Sequence, residues 1–404
     1  MSDNIGSPDK KKHVFLPELF AAYFLIGLTG FGPSIVAETK KIIVQKKQWI
    51  SEDEFLNGIS LGQLLPGATF CSLTVYIGYK IRGVAGAITS FLAFLLPPFI
   101  VMALLSYLYF RFGELIYIKV LIKGVVAIVV GLVANAVLEV GQSAIKDVKS
   151  IIIALISLAI MILYPNIFVI LFVAAFLGLL FYYPTLSSQA TALPTGSHPP
   201  AGIVKSSHFK AVLILLAAIA LLVYGASLQP VLLQLGWVFF RMGALVFGNG
   251  FTMIPLIQQE VVTHYHWLTM DEFAVGLALG QITPGPVLIT ATFVGYKVAA
   301  LKGAIASTLG MFLPSLLLVI LTAEVHKKVE HNPWVKAAFK GILASFVGMM
   351  LVVLAGLAQH AVVDLTTAAL AVLSFLALRL TKLNVLWVVS GGALLYLGFT
   401  LLIK

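Results

Sequence analysis

The 404-residue sequence predicts an all-α polytopic membrane protein made of two homologous halves. We expect these halves to be inverted-topology repeats with discontinuous or re-entrant helices at the centre. The prediction depends on composition, on long uncharged runs and on an internal repeat. Hydrophobic residues make up 60% of the chain and charged residues 10%, against about 25% charged in soluble domains. Since the mean hydropathy is +1.04, a water-soluble enzyme is excluded.

Uncharged apolar runs recur along the chain, among them residues 84–110, 151–183 and 383–403. A membrane-spanning helix needs about 20 such residues, whereas transmembrane barrels show segments of about ten alternating residues. The run 151–183 is too long for one span. Because proline lacks a helix donor, Tyr164-Pro165-Asn166 is expected to divide it into two short helices.

The formal net charge is +10, and the basic residues stand in short groups between apolar runs. This distribution is typical of cytoplasmic loops in a bilayer protein, so we expect no nucleic-acid partner. The single cysteine, Cys71, excludes an intrachain disulfide. His264 and His266 lack further ligands nearby, so no metal site and no cofactor is predicted. The polar start, residues 1–13, indicates a cytoplasmic tail rather than a signal peptide.

Residues 184–210 are rich in Pro, Ser, Thr and Gly and are predicted to form a linker. They separate a first repeat, residues 1–183, from a second repeat, residues 211–404. The apolar stretch 211–228 has no first-half counterpart and predicts one extra leading helix in the second repeat.

The two halves repeat each other. A shift of 218 places Trp49 on Trp267 and Gln63 on Gln281, and after the Pro-Gly pairs a shift of 217 places residues 78–80 on residues 295–297. Duplicated membrane halves are typical of secondary transporters. A duplicated scaffold without a transport role is the alternative, but packing alone would not require a repeated polar, helix-breaking loop.

Each repeat contains a short capped helix. Ser51 with Glu54, and Thr269 with Glu272, have capping-box spacing. Each helix is expected to stop at Pro-Gly after about 21 Å at 1.5 Å per residue, which is too short for a hydrocarbon core of about 30 Å. A half-helix or re-entrant segment is therefore predicted. Glu54 and Glu272 are either caps or proton-coupling residues.

A new helix is expected after each Pro-Gly pair, and helix N-termini attract anions. Gln63 and Gln281 lie in the last turn before the break, where each amide bonds either its own helix end or a ligand. Glycine-rich breaks at residues 27–34 and 243–252 permit unwinding, which is where transporters hold substrates. Hydroxyl donors lie nearby at Thr69, Ser72, Thr74, Thr290 and Thr292. The substrate-binding candidates are Phe31, Gly32, Pro33, Gln63, Pro66, Gly67 and Thr69 in the first half, and Gly248, Asn249, Gly250, Thr252, Gln281, Pro284, Gly285, Pro286 and Thr290 in the second.

Three basic residues are candidates for an anion pathway. Lys123 and Lys340 occupy equivalent positions near the starts of long apolar helices, and Arg241 precedes the second glycine-rich break. The alternative for the two lysines is snorkelling to the membrane surface.

The motifs of the second half are FGNG at 247–250, IPL at 254–256, Glu260-Val261, QITPGP at 281–286 and Gly295-Tyr296. The first half has FGP at 31–33 and QLLPGA at 63–68, and Ile42 stands where the second half has Glu260. These motifs resemble those of the prokaryotic chromate transporter family in its fused two-domain form.

The resemblance implies a multi-pass carrier of the prokaryotic plasma membrane that exports chromate, confers resistance, and is driven by protons or by anion exchange as in an antiporter. It also makes Glu260 a candidate coupling residue. A carrier for sulfate or for oxyanions in general, and an anion channel, are the alternatives. The expected partners are the oxyanion and the lipid bilayer, and a homodimer is left open. An intramembrane enzyme is excluded by the lack of a catalytic set of residues.

Overall fold

The computed structural model describes residues 14–32, 34–191, 229–246, 250–322, 332–381 and 383–403. Within these ranges the chain is helical and forms no strand. The α-helices there are α1 (Leu16–Thr29), α2 (Ser34–Thr39), α3 (Glu52–Leu64), α4 (Thr69–Phe112), α5 (Ile116–Ala144), α6 (Val148–Leu163), α7 (Ile167–Thr191), α8 (Pro230–Gly243), α9 (Ile254–Gln258), α10 (Met270–Ile282), α11 (Thr290–Thr322), α12 (Pro333–Ala361), α13 (Leu365–Leu380) and α14 (Val385–Ile403). A π-helical turn follows α2 (Lys40–Lys46) and α9 (Gln259–His264), and 3-10 turns precede α9 (Gly250–Met253) and α11 (Val287–Ile289).

The predicted all-α membrane fold with two homologous halves is confirmed, because α1–α7 and α8–α14 follow the same order. The equivalent helices α5 and α12 each have 29 residues, and α6 and α13 each have 16. Asp147 and Asp364 close a full capping box at the start of α6 and α13. The break at Tyr164 also lies where it was expected, between α6 and α7.

Six helical segments of the described part are long and apolar enough to cross a membrane. They are Thr69–Phe112, Ile116–Ala144, Ile167–Leu186, Val287–Thr322, Pro333–Ala361 and Val385–Leu402. Shorter apolar helices are Leu16–Thr29, Val148–Leu163 and Leu365–Leu380.

Helix α4 reverses direction near its beginning. Arg82 and Gly83 leave the helical conformation, and Gly83 has φ +60°, which glycine adopts without steric cost. Ser90 Oγ then donates to Thr74 O at 3.1 Å across sixteen residues, so residues 69–81 and 84–112 lie side by side. The second half turns at the same place, at Ala299 and Ala300 of α11.

A short helical hairpin precedes each reversal. An added Cβ on Gly62 would meet Thr69 O at 2.8 Å, and one on Gly58 would meet the Tyr76 ring at 2.8 Å, so α3 runs antiparallel to residues 69–81. We call this pair of segments hairpin 1. Its counterpart, α10 with residues 287–298, is hairpin 2. Each has a Pro-Gly turn at its tip and its two chain ends at its base, as expected for a re-entrant segment.

The long helices α5 and α12 each pack on helices of the opposite half. Helix α5 of the first half packs on α13 and α14, whereas α12 of the second half packs on α6 and α7. A Cβ on Gly131 would lie 2.5 Å from Ala371 O, and one on the equivalent Gly348 would lie 2.1 Å from Ala154 O. Each contact therefore recurs with the halves interchanged. In both places a small residue lets two membrane helices approach closely.

The predicted linker begins later than expected, because α7 continues to Thr191. Pro184 removes only one backbone donor, so a helix can pass through it with a bend. Residues 192–210 and the predicted extra helix at 211–228 lie outside the described residues. Pro286 precedes a 3-10 turn rather than starting an α-helix, and α11 begins at Thr290.

Replacing Gly131 with leucine is expected to lower the thermal unfolding midpoint in detergent by several degrees. The added side chain would enter the backbone of α13, and overpacking costs about 1–3 kcal/mol. Gly141 on the same helix is the matched control, because an added Cβ there meets nothing within 4 Å. Equal midpoints for Gly131→Leu and Gly141→Leu would show that α5 does not pack on α13 in this way.

Candidate functional site

The two Pro-Gly tips are held by the glycine-rich break of the opposite half. Gly67 N–H donates to Val246 O at 2.8 Å. Gly285 N–H donates to Gly30 O at 2.6 Å, and Gly32 N–H donates back to Gly285 O at 3.4 Å. The predicted breaks of the two repeats thus meet in two equivalent places, each shared between the halves.

Each tip also packs on the long helix of the other half. A Cβ on Gly67 would lie 2.6 Å from Ser315 Oγ, and one on Gly285 would lie 2.8 Å from the Pro98 ring. Ala68 N–H donates to Ser315 Oγ at 2.8 Å. Both glycines have positive φ, +135° at Gly67 and +97° at Gly285. Any side chain at either tip would therefore strain the backbone and push the halves apart.

The tip glycine amides are consequently occupied, whereas two hydroxyls in the first turns of α4 have no partner in the described part of the chain. Ser72 Oγ and Thr74 Oγ1 are buried and have no hydrogen-bond partner among the described residues. In the second half, Thr290 Oγ1 donates to Val287 O at 2.9 Å, and Thr292 pairs with Thr308 at 2.7 Å. A buried hydroxyl without a partner is costly, and the first half keeps two of them where the second half pairs its own.

The two glutamines are equivalent in sequence but differ in their surroundings. Gln63 is exposed on α3, whereas Gln281 is half-buried and faces a gap of about 10 Å³ beside Phe251, Ile254 and Leu277. Such a gap has about the volume of one water molecule. Within the described part of the chain, neither amide bonds its own helix end.

Arg241 and Glu260 form an ion pair inside the second half. The guanidinium lies 3.6 Å from a Glu260 carboxylate oxygen, and the exposed fractions of the two side chains are 30% and 15%. Arg241 Nε and Glu260 Oε2 have no hydrogen-bond partner in the described structure, and the Phe168 ring lies 5.6 Å from the guanidinium. Gly27 and Gly243 make equivalent contacts in the two halves, so Leu25 stands in the first half where Arg241 stands in the second. Ile42 likewise stands where the second half has Glu260. This charged pair therefore belongs to one half.

The candidate coupling residues Glu54 and Glu272 clamp the bases of the hairpins. Glu54 lies 3.1 Å from Lys80 and accepts a hydrogen bond from Tyr76 at 2.5 Å. Glu272 lies 2.5 Å from Lys297 and completes the capping box with Thr269. Only half of the predicted box forms at Ser51, because the Glu54 carboxylate is drawn to Tyr76 and Lys80.

The two pathway lysines lie at the contact between the halves. Lys123 Nζ is 2.7 Å from Asp364 Oδ2. The lysine and the Thr367 amide together hold the pKa of Asp364 well below its usual range.

The second pathway lysine, Lys340, lies near Asp147, with its Nζ 5.0 Å from the Tyr182 ring. Although burial opposes it, hydrogen bonds from Tyr182 and Ser150 lower the pKa of Asp147. Lys123 and Lys340 thus meet acids of opposite halves, and their role in an anion pathway stays a prediction.

An open cavity of about 630 Å³ lies beside the base of hairpin 2. Its charged lining residues are Glu114, Lys119, Lys123, Asp271, Glu272, Lys297 and His360. His360 Nε2 lies 2.9 Å from Asp271, and Lys119 lowers the pKa of Glu114. Acids and bases are balanced here, so the cavity does not carry a strong field of one sign.

The structure brings Phe31 and Gly32 together with Gly285, whereas Gly67 lies against Val246 and Ser315. Pro66 and Pro284 precede the tip glycines, Thr69 starts α4, and Gly250 and Thr252 form the turn before α9. Pro33, Gly248 and Asn249 lie outside the described residues. Sequence reasoning missed the opposite-half partners Pro98, Val246 and Ser315. No group of metal-binding residues is found in the described part of the chain.

Comparison with known proteins identifies the family. The chromate transporter family model matches residues 17–179 and 233–397, one match in each half. An uncharacterised transporter of Methanocaldococcus jannaschii is 32% identical over 98% of this chain and 96% of its own length. The chromate transport protein of Cupriavidus metallidurans is 32% identical over 92% of this chain and 90% of its own. That of Pseudomonas aeruginosa is 29% identical over 94% and 91%.

No solved structure matches the chain. The family matches and the apolar helices identify a membrane transporter rather than an enzyme, and family membership supports chromate transport. With a family match in each of its two halves, this chain belongs to the chromate transporter family.

Proposed function

We propose that the protein is a secondary active carrier that exports chromate from the cytoplasm across a prokaryotic plasma membrane, coupled to protons or to anion exchange. The observation that carries this proposal is that each Pro-Gly tip bonds the glycine-rich break of the opposite half. Irregular backbone at membrane depth is stable only where it is buried in protein or lines a cavity. Such breaks are where secondary carriers hold their substrates.

The course of α4 supports inverted repeats. Residues 84–112 lead away from the base of hairpin 1 and extend about 43 Å at 1.5 Å per residue, which exceeds a hydrocarbon core of about 30 Å. Near the far end, Phe110 lies 6.3 Å from the Tyr296 ring and 5.0 Å from Lys297 Nζ, both at the base of hairpin 2. The two hairpins would then enter the membrane from opposite faces and meet at the centre.

The oxyanion would bind beside the tip of hairpin 1. The first turns of α4 supply a helix N-terminus and the unpaired hydroxyls of Ser72 and Thr74. These groups suit a tetrahedral dianion, and chromate and sulfate share that shape and charge.

Arg241 and Glu260 offer a means of coupling. Protonation of Glu260 would remove the charge that balances Arg241, and the guanidinium would then attract an anion. Proton and anion would then bind together, which couples their movement by reciprocal linkage, and the membrane potential would drive the remaining negative charge of a dianion outward.

Inverted membrane vesicles that contain the protein are expected to accumulate radiolabelled chromate when energised, and a protonophore should abolish the accumulation. Sulfate in excess measures selectivity. Absence of counterflow against unlabelled chromate in de-energised vesicles would instead indicate a channel, and complete inhibition by sulfate would indicate a general oxyanion carrier. Vesicles lacking the protein are the control.

Glu260→Gln is expected to retain chromate exchange in de-energised vesicles but to move no protons with the chromate, because glutamine cannot carry a proton. A pH-sensitive dye in the vesicle lumen measures the proton movement. Glu114→Gln, at a glutamate that is 94% exposed on a loop, is the control and should keep the proton movement. Unchanged proton movement in Glu260→Gln would remove Glu260 from coupling.

Ser72→Ala is expected to raise the apparent KM for chromate without lowering the unfolding midpoint. A hydrogen bond to a charged group is worth about 1.5–3 kcal/mol, which corresponds to about tenfold or more in KM. Ser106→Ala is the matched control, since Ser106 Oγ bonds Met102 O at 2.7 Å on the same helix, and its loss should affect stability alone. A normal KM in Ser72→Ala would exclude Ser72 from the site.

A further inference from the structure

The outward face of α3 is polar along its length. Glu52, Asp53 and Gln63 are exposed, and Ser60 between them is half-buried. Leu56 is the large apolar residue on this face, with 52% of its surface exposed. The residues recur at intervals of three or four, which places them on one side of the helix.

The equivalent helix of the second half is enclosed. Val275 and Ala278 stand where α3 has Asn57 and Ser60, and both are buried. Helix α10 packs on α5, α12 and α14, whereas α3 packs mainly on α4. The halves therefore differ at this helix in both sequence and packing, with the polar residues on the exposed copy.

This polar face cannot be in contact with lipid tails. Asn57, Ser60 and Gln63 have no side-chain partner within the described residues. An amide or hydroxyl moved from water into hydrocarbon without a partner costs about 2–7 kcal/mol, and three such groups outweigh about 1.5–3 kcal/mol gained by burying one leucine. Water is the environment that satisfies this face.

The base of hairpin 1 has an excess of basic residues, which is typical of the cytoplasmic side of a membrane protein. Glu52 is neutralised by Lys40, and Glu54 by Lys80. The basic residues of this region outnumber the acidic ones: Lys40, Lys41, Lys46, Lys47, Lys80 and Arg82 against Glu38, Glu52, Asp53 and Glu54. An excess of lysine and arginine near membrane boundaries favours the cytoplasmic face.

We propose that Asn57, Ser60 and Gln63 line a water-filled path along α3, by which the oxyanion reaches the tip of hairpin 1 from the cytoplasm. The proposal rests on the proposed function and adds the side and the route of access. Amide and hydroxyl donors bind an anion more weakly than a fixed charge does, so an ion can pass along them. The path ends beside Gly62, which packs against Thr69 at the start of α4.

Thiol labelling tests the path directly. In a Cys71→Ala background, single variants Ser60→Cys and Asn57→Cys would be treated with the anionic, membrane-impermeant reagent 2-sulfonatoethyl methanethiosulfonate. Ala278→Cys and Val275→Cys are the matched controls at the equivalent buried positions. Leu155→Cys on α6, where Leu155 is 58% exposed on an apolar face, controls for contact with lipid. Inverted and right-side-out vesicles present opposite faces to the reagent.

In inverted vesicles, Ser60→Cys and Asn57→Cys are expected to react more than about tenfold faster than the controls, because one unit of thiol pKa changes the thiolate fraction tenfold and burial raises that pKa. Labelling should also inhibit chromate flux. Equal rates at Ser60→Cys and Ala278→Cys, or faster reaction in right-side-out vesicles, would overturn the path.

The two proposals fail in different ways. Fast labelling in a protein that carries no chromate would keep the path and overturn the proposed function. Chromate transport with no labelling at residues 57 and 60 would keep the function and place the access route elsewhere, for example because a second copy of the chain covers α3.

Discussion

The hydrogen bond from each Pro-Gly tip to the glycine-rich break of the other half is the interaction on which the architecture depends. Backbone groups that leave a helix at membrane depth must find partners inside the protein. Gly67 and Gly285 find them in Val246 and Gly30, across the repeat boundary. Neither tip glycine bonds its own half, and the long helices α5 and α12 likewise pack on the opposite half. Duplication thus supplies the second copy that completes each half.

The halves have diverged where charge and water matter, and they have stayed alike where they pack. The tip glycines, the reversal after each hairpin and the capping aspartates Asp147 and Asp364 recur in both. The ion pair of Arg241 with Glu260 occurs in one half only. The same is true of the exposed polar face of α3. A symmetric frame with unequal halves would give the proposed oxyanion and its proposed coupling group two different environments.

The sequence predicted the features that depend on local residues. The short capped helices, the break at Pro165 and the Pro-Gly tips follow from capping and proline chemistry within a few positions. The reversal at Gly83 was missed, because the apolar pattern continues on both sides of it. The partners Ser315 and Pro98 could not be predicted from local patterns, since they lie in the opposite half. The repeat offers the missing signal: once Gly67 contacts Ser315, the shift implies that Gly285 contacts Pro98.

The proposed central site requires that the two hairpins enter the membrane from opposite faces. Asp53 and Asp271 are equivalent, exposed and located at the two bases. Single cysteines at these positions, in a chain without Cys71, would be treated with an impermeant maleimide on inverted and right-side-out vesicles. With inverted halves, Asp53→Cys is expected to react from the cytoplasmic face alone and Asp271→Cys from the opposite face alone. Reaction of both from the same face would contradict a central site shared by inverted halves.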